Sequence, residues 1–309
     1  MTALVFLIVY AGVLAFLAGC VARALTYARM PAHLRWEIYP VPHEEPERVA
    51  YGGSYFEQPR WWTKPLRSHW VTELRFMIPE MIFLKGLWDH NRSLWYRSFP
   101  FHFGLYLVAA SMVCLVASVA LTPAGVELSG TAGVLATAAR ILGAVGGAGV
   151  LVGALALAWR RLTAPEVRNY TAPGDVFNLI FFVVTFGLIG AGLLSRPEGA
   201  PGAWEVTRAL LFFDTSIALP KLLAWGLVAG SLLVAYIPMT HMSHFIAKYF
   251  TYHKIRWDDV PMRQAQRLAK EIARYLSYRP RWAAPHVMAD GRRSWAELAM
   301  LNPAQKGDQ

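Results

Sequence analysis

Nine histidines are spread unevenly along this 309-residue chain, and three of them stand where an imidazole needs explaining. His102 falls in the stretch Ser98-Phe-Pro-Phe-His-Phe-Gly-Leu-Tyr-Leu and is the only charged or imidazole side chain in the apolar run from Phe99 to Leu121. His241 and His244 close the last apolar run, in Tyr236-Ile-Pro-Met-Thr-His-Met-Ser-His. No histidine lies between His102 and His241. An ionisable side chain inside a lipid-spanning helix usually faces the bundle interior and has a task. Neutral imidazole is a common metal ligand. Two spans that each carry a His at one membrane depth can therefore clamp a haem iron between them. The plainer reading of His102 is an interfacial imidazole bonded to a backbone carbonyl. Zinc is the competing metal, but two or three histidines without a nearby carboxylate make a poor zinc set.

The elements that would position these side chains are legible from hydropathy. Hydrophobic residues make up 55% of the chain and charged ones 16%, with a mean hydropathy of +0.33. The apolar residues come in blocks of about twenty rather than in amphipathic stripes, which predicts an all-α integral membrane bundle. Five spans are expected: Thr2 to Ala24, Phe99 to Leu121, roughly Ala132 to Trp159, Phe177 to Leu194, and Lys221 to Phe245. Pro100 suits the first turn of its helix, where a missing N–H costs nothing. The chain divides accordingly into span one (1–27), a polar and aromatic connection (28–98), a four-span bundle (99–247) and a basic tail (248–309).

Lys and Arg follow spans one, three and five, and the connection after span two, Thr122 to Thr131, has none. The positive-inside rule then puts the amino terminus outside and the tail in the cytoplasm. His102, His241 and His244 thereby fall at cytoplasmic ends of their spans, so a bis-His iron is available only on that side. The same rule accounts for the formal charge of +10 better than nucleic acid does. Cys20 and Cys114, the only cysteines, both lie in apolar runs. That excludes a disulfide framework, a cysteine-ligated iron–sulfur cluster and, with no C-x-x-C-H, a covalent c-type haem. No P-loop, dinucleotide fingerprint or Ser-His-Asp arrangement appears. The first run lacks a basic n-region and an A-x-A site, and reads as an anchor.

Within the first connection, Leu34–His43 and Tyr51–Pro59 read as proline-punctuated coil, and His69 to Arg97 as one or two interfacial helices, with Trp70, Phe76, Met81, Leu84 and Trp88 alternating with Arg75, Lys85, Asp89 and Arg92. In the tail, Asp258-Asp259-Val-Pro261 reads as a helix start and Arg263 to Ser277 as its polar amphipathic continuation. Span three is rich in small residues, Gly143, Gly146, Gly147, Gly149 and Gly153 among them, which allow close helix approach or leave room for a flat ligand.

These residues resemble a family, the cytochrome b (gamma) subunit of respiratory nitrate reductase, and more closely its relatives in the transmembrane redox complexes of sulfate-reducing and related anaerobes. Phe101-His102-Phe-Gly-Leu is similar to the family's first haem-ligand motif, and Pro238 followed six residues later by His244 to its last. Trp36–Tyr39, Tyr51–Phe56 and Phe99–Tyr106 resemble the sulfate-reducer type. The resemblance implies that His102 and His244 are axial ligands of one haem b, with His241 the alternative ligand or a hydrogen-bond partner of a propionate. It also implies a multi-pass protein of the bacterial cytoplasmic membrane. This would exchange electrons between a menaquinone-type quinone and a cytoplasmic iron–sulfur subunit related to the catalytic subunit of heterodisulfide reductases, and it admits a periplasmic multihaem cytochrome c as a further partner. Where the family holds a second haem, this chain has Met112 and Gly226. The outer haem is expected to be lost, with Met112, Arg140 and Lys221 around a quinone in the vacated volume.

Two rivals stand beside this reading. One is a non-redox membrane anchor that docks a soluble partner; the 28–98 connection and the tail are the expected dock in either case. A transporter is disfavoured by the lack of intramembrane acidic residues, inverted repeats and broken helices.

Overall fold

The computed structural model describes residues 1–29, 46–51, 59–60, 63, 69–123, 125–126, 128–249, 266–281 and 287–301. The readings of Leu34–His43, most of Tyr51–Pro59 and Asp258–Pro261 fall outside the described residues. Among those described the secondary structure is helical throughout, with no strand. Five helices are long and apolar enough to cross a membrane: α1 (Thr2–Arg29), α5 (Arg92–Ala120), α6 (Gly130–Thr163), α8 (Pro173–Leu194) and α10 (Lys221–Tyr236), whose apolar span runs on to Met239. Shorter helices join or follow them: α2 (Pro46–Tyr51), α3 (Trp70–Ile82), α4 (Lys85–His90), α7 (Pro165–Arg168), α9 (Ala203–Leu211), α11 (His244–Tyr249), α12 (Gln266–Leu276) and α13 (Trp295–Ala299). The chain splits into two compact units, one of Met1–Arg23 with Glu73–His244, the other of Ala24–Thr72 with Phe245–Gln309.

In the first unit, α5 packs on α6, α6 on α8 and α8 on α10, each antiparallel to the next. Small residues set the spacing. A Cβ at Gly104 would sit 2.6 Å from the Gly146 carbonyl, one at Gly153 2.5 Å from the Phe101 nitrogen, and one at Gly192 2.6 Å from the Leu223 nitrogen. Such contact leaves no room for a side chain, and in lipid it is packing of this kind, not water exclusion, that holds helices together. The bundle keeps two apolar clusters. Val5, Phe6, Leu219, Leu223 and Ala224 gather with Val206 and Ala209 of α9 at one end, and Phe101, Val150, Ala154, Phe182 and Leu233 gather toward the other. Outward faces stay apolar: Leu4, Leu7, Leu14, Val134, Val152 and Trp225 are all more than 60% exposed. A surface of that kind suits hydrocarbon, because backbone groups are satisfied within each helix.

Polar caps fix where the helices begin. The Asn91 side chain accepts the Leu94 N–H at 3.0 Å, so α5 starts at Arg92. Pro100 is therefore inside the helix and not in its first turn, as the sequence reading had it; the turns before it are held by that cap and by Trp95, whose indole donates to the Phe83 carbonyl at 2.7 Å. The stretch expected to be interfacial up to Arg97 thus ends at His90, and Arg92–Arg97 belong to span two. Asp175 accepts the Ala172 N–H at 3.1 Å to start α8, and Glu205 accepts the Gly202 N–H at 2.9 Å to start α9. A second correction concerns span five. Expected to run unbroken to Phe245, its α-helix stops at Tyr236, because Pro238 has no N–H to offer and its ring crowds the carbonyl four residues back.

The second unit holds α2, α11 beyond His244, α12 and α13. The α12 helix covers the described part of the expected Arg263–Ser277 helix, and the Trp295 N–H donates to the Tyr278 carbonyl at 2.9 Å.

Candidate functional site: a facing histidine pair

At the end of the bundle where α5 begins and α10 finishes, His102 and His244 face each other. Their ring centres are 6.2 Å apart with planes inclined at 66°. Two imidazoles that hold one metal ion from opposite sides, each by a bond of about 2 Å, have ring centres roughly 6 Å apart. The spacing therefore fits one metal ion between the rings, and it also lies within the range of an edge-to-face ring pair.

His102 is half-buried on α5 and its orientation is set from one turn below. Its Nδ1 lies 2.9 Å from the Ser98 carbonyl and 3.2 Å from the Ser98 hydroxyl. A carbonyl can only accept, so Nδ1 donates in this contact and Nε2 keeps a lone pair. That is the tautomer a metal requires, and a carbonyl behind the ring is how ligating histidines are commonly oriented. Aromatic rings back His102: Phe101 meets its ring edge-on at 5.3 Å and is met in turn by Phe182 at 4.9 Å, while His244 is exposed; Phe177 and Phe181 of α8 flank Tyr236 of α10. On α8, the Asn178 side-chain oxygen and the Thr185 hydroxyl are buried with no hydrogen-bond partner among the described residues, two polar groups inside a bundle where such groups are costly.

His241 takes another direction. It lies in a 3-10 turn, 66% exposed, with Nε2 3.7 Å from Asp175 Oδ1. Asp175 in turn accepts from Arg161 at 3.1 Å. The break at Pro238 accounts for this: His241 and His244 do not share a helix, and the fold brings only His244 to His102. Among the described residues no group of three or more His, Cys, Asp and Glu is placed to hold a metal ion by side chains alone.

The other expected site residues are not drawn together. Met112 is 53% exposed on the outside of α5. Arg140, expected within the bundle, is exposed and donates to the hydroxyl of Thr137 on its own helix at 3.3 Å; Lys221 is exposed at the first residue of α10. At Gly226 a Cβ would lie 2.9 Å from Ile189, so α10 packs directly on α8 at that position. Gly143 likewise faces Ser111, whose hydroxyl bonds the Ala139 carbonyl at 2.7 Å. Of the two readings of the small residues, the close-approach one describes these positions. A cavity of about 620 Å³ opens between the end of α8 and α9, lined by Leu193, Arg196, Pro201, Glu205 and Ile217, and none of the three expected quinone residues borders it.

The model of the nitrate reductase gamma subunit family matches residues 88–260, more than half of the chain. The chain belongs to the nitrate reductase gamma subunit family. No curated protein and no solved structure matches it. The gamma subunits are membrane cytochrome b subunits of respiratory redox complexes and bind haem b, which agrees with the apolar helices and the facing histidines described above. The matched stretch holds α5, α6, α8, α10 and both histidines; α1 precedes it. Sequence reasoning missed Ser98 as an orienting group, although its place four residues before His102 is a readable signal. It missed Asp175 as well, which only the fold brings to His241.

Proposed function

We propose that this gamma-family subunit carries electrons between membrane quinol and a cytoplasmic iron–sulfur partner through a single haem b held by His102 and His244. One observation carries the reading: two imidazoles 6.2 Å apart, one with its Nδ1 proton committed to a backbone carbonyl. When bound, haem b supplies a one-electron couple whose potential the protein tunes through ligands, burial and hydrogen bonds. The chain's own residues then have distinct tasks. Ser98 fixes the His102 ring. Pro238 turns the chain so that His244, rather than His241, faces it. Phe101, backed by Phe182, packs against the His102 ring. Met112 and Gly226, at the positions where the family holds a second pair of ligands, support one haem and not two.

The positive-inside rule supports a cytoplasmic histidine end, where Arg92, Arg97, Arg160, Arg161 and Arg168 collect. On this reading the subunit sits in the bacterial cytoplasmic membrane. The 28–98 connection and the 248–309 tail dock a partner related to the heterodisulfide reductase catalytic subunit, as in sulfate-reducer complexes, where a periplasmic multihaem cytochrome c is a further partner. The quinone is menaquinone-like, and the subunit has no chemistry on a soluble substrate by itself. Substitution of the histidines tests the assignment: His102→Ala and His244→Ala should each abolish the low-spin haem spectrum of purified membranes, and His241→Ala should leave it. Loss of the spectrum in His241→Ala with retention in His244→Ala would move the axial role to His241. A chain that takes up no haem would be the anchor instead.

A further inference from the structure

Between α10 and α11 the chain makes two 3-10 turns, Ile237–Met239 and His241–Ser243, joined by extended Thr240. Four successive carbonyls along this segment, from Ile237 to Thr240, all find donors within the protein. The Ile237 carbonyl accepts the Thr240 N–H at 3.2 Å and its hydroxyl at 3.1 Å. The Thr240 carbonyl accepts the Ser243 N–H at 3.2 Å and its hydroxyl at 2.7 Å. The two between them are met from a different helix. Arg23 of α1 donates from Nε to the Pro238 carbonyl at 2.9 Å and from Nη2 to the Met239 carbonyl at 3.2 Å. A planar guanidinium can bridge two adjacent carbonyls in this way; an ammonium, a point charge on a flexible stem, does not reproduce that fork.

The α1 helix is built to deliver this side chain. Gly12 and Gly19, two turns apart on one face, let α1 lie directly on α10: a Cβ at Gly12 would be 2.8 Å from the Ser231 carbonyl, and one at Gly19 2.7 Å from the Pro238 ring. Arg23 follows one turn later on the same face. An arginine near the end of a span ordinarily extends to the headgroups. Here it is half-buried and donates inward, to the segment that ends at His244. Pro238 in the first turn and Ser243 in the second are buried as well.

We propose that Arg23 is a positioning residue for the His244 ligand: by holding the Pro238 and Met239 carbonyls it fixes the turns that set the gap between His244 and His102. This rests on His244 being axial. Arg23 lies outside the stretch matched to the family model, residues 88–260.

The test uses the full chain in membranes and compares Arg23→Gln, Arg23→Lys, His244→Ala and Tyr10→Phe. Tyr10→Phe removes another α1 bond, from the Tyr10 hydroxyl to the Leu210 carbonyl at 2.7 Å, from the opposite end of the same helix. Electron paramagnetic resonance reads the low-spin and high-spin fractions, and haem content after detergent extraction reads retention. Arg23→Gln should convert part of the low-spin signal to high-spin and weaken haem retention about tenfold, the scale for loss of a group that orients a metal ligand. Added imidazole should restore the low-spin signal. Arg23→Lys, which keeps the charge and a donor and is the gentler variant for assembly, should show a smaller shift of the same kind. Tyr10→Phe should match the native protein. A native signal and native retention in both Arg23 variants, with the low-spin signal abolished in His244→Ala, would overturn the clamp while leaving the ligand assignment standing. A Tyr10→Phe shift equal to that of Arg23→Gln would overturn it too, by showing a general effect of α1 packing. A low-spin signal that survives His244→Ala would instead remove the assignment on which the clamp rests.

Discussion

Gly104→Ala probes the packing that places His102, and its effect can be worked from the structure. A Cβ at Gly104 would lie 2.6 Å from the Gly146 carbonyl oxygen and 2.7 Å from the Val150 nitrogen, both backbone atoms that cannot swing aside. Reaching the 3.4 Å of ordinary contact requires α5 and α6 to part by about 0.8 Å at that level. Overpacking of this kind costs about 1–3 kcal/mol. His102 is two residues away, and metal–ligand distances tolerate only about ±0.2 Å. If His102 is axial as proposed, that separation exceeds what a bond from it to iron would absorb. Gly104→Ala should lower thermal stability in detergent and convert low-spin haem to high-spin or lose it. Gly143→Ala is the graded control: its Cβ would meet only the Ser111 side chain, the hydroxyl at 3.0 Å, toward the other end of the interface, and the haem spectrum should stay native. A native spectrum and native stability in Gly104→Ala would refute the view that this crossing sets the ligand position. An equal loss in Gly143→Ala would show that any weakening of the α5–α6 interface suffices.

Pro238→Ala should let α10 continue through the present break, turn His244 away from His102 and remove the low-spin spectrum while the protein still accumulates in membranes. Trp204→Phe removes the indole bond to the Ser118 hydroxyl, 3.0 Å long, and should cost about 1 kcal/mol of stability with no change in the haem spectrum, because Ser118 sits at the far end of α5. In the tail, Glu297 accepts the Ser294 N–H at 2.6 Å and its hydroxyl at 3.0 Å, and these bonds hold its carboxyl below the usual glutamate range. A depressed carboxylate contributes stability above its unfolded pKa and loses it as pH falls through the folded one. The amide protection of α13, corrected for the intrinsic pH dependence of exchange, should therefore fall on acidification below the ordinary glutamate range, and Glu297→Gln should flatten that response.

The five spans could be read from hydropathy because lipid demands continuous apolar runs, and His102 and His244 stood out because an imidazole there is conspicuous. The boundaries were less accessible. Pro100 looked like a helix start, yet the local Asn91 cap begins α5 two turns earlier. Pro238 was visible, but its consequence, that His241 and His244 leave a common helix, depends on how the freed carbonyls find donors. Arg23 gave no signal at all: its partners lie more than two hundred residues away, and nothing near it in sequence distinguishes a clamp from a snorkelling arginine. The glycines of span three admitted two outcomes, and their relation to Gly104 and Phe101, which only the packed helices show, decided for close approach.

The central claim concerns one metal site made by two histidines, and a quantitative haem assay with magnetic resonance on the purified, intact subunit tests it most directly. One haem b per chain, low-spin, with a bis-histidine signature, is the expected result. Two haems per chain, a high-spin centre with one histidine ligand, or no haem at all would contradict it.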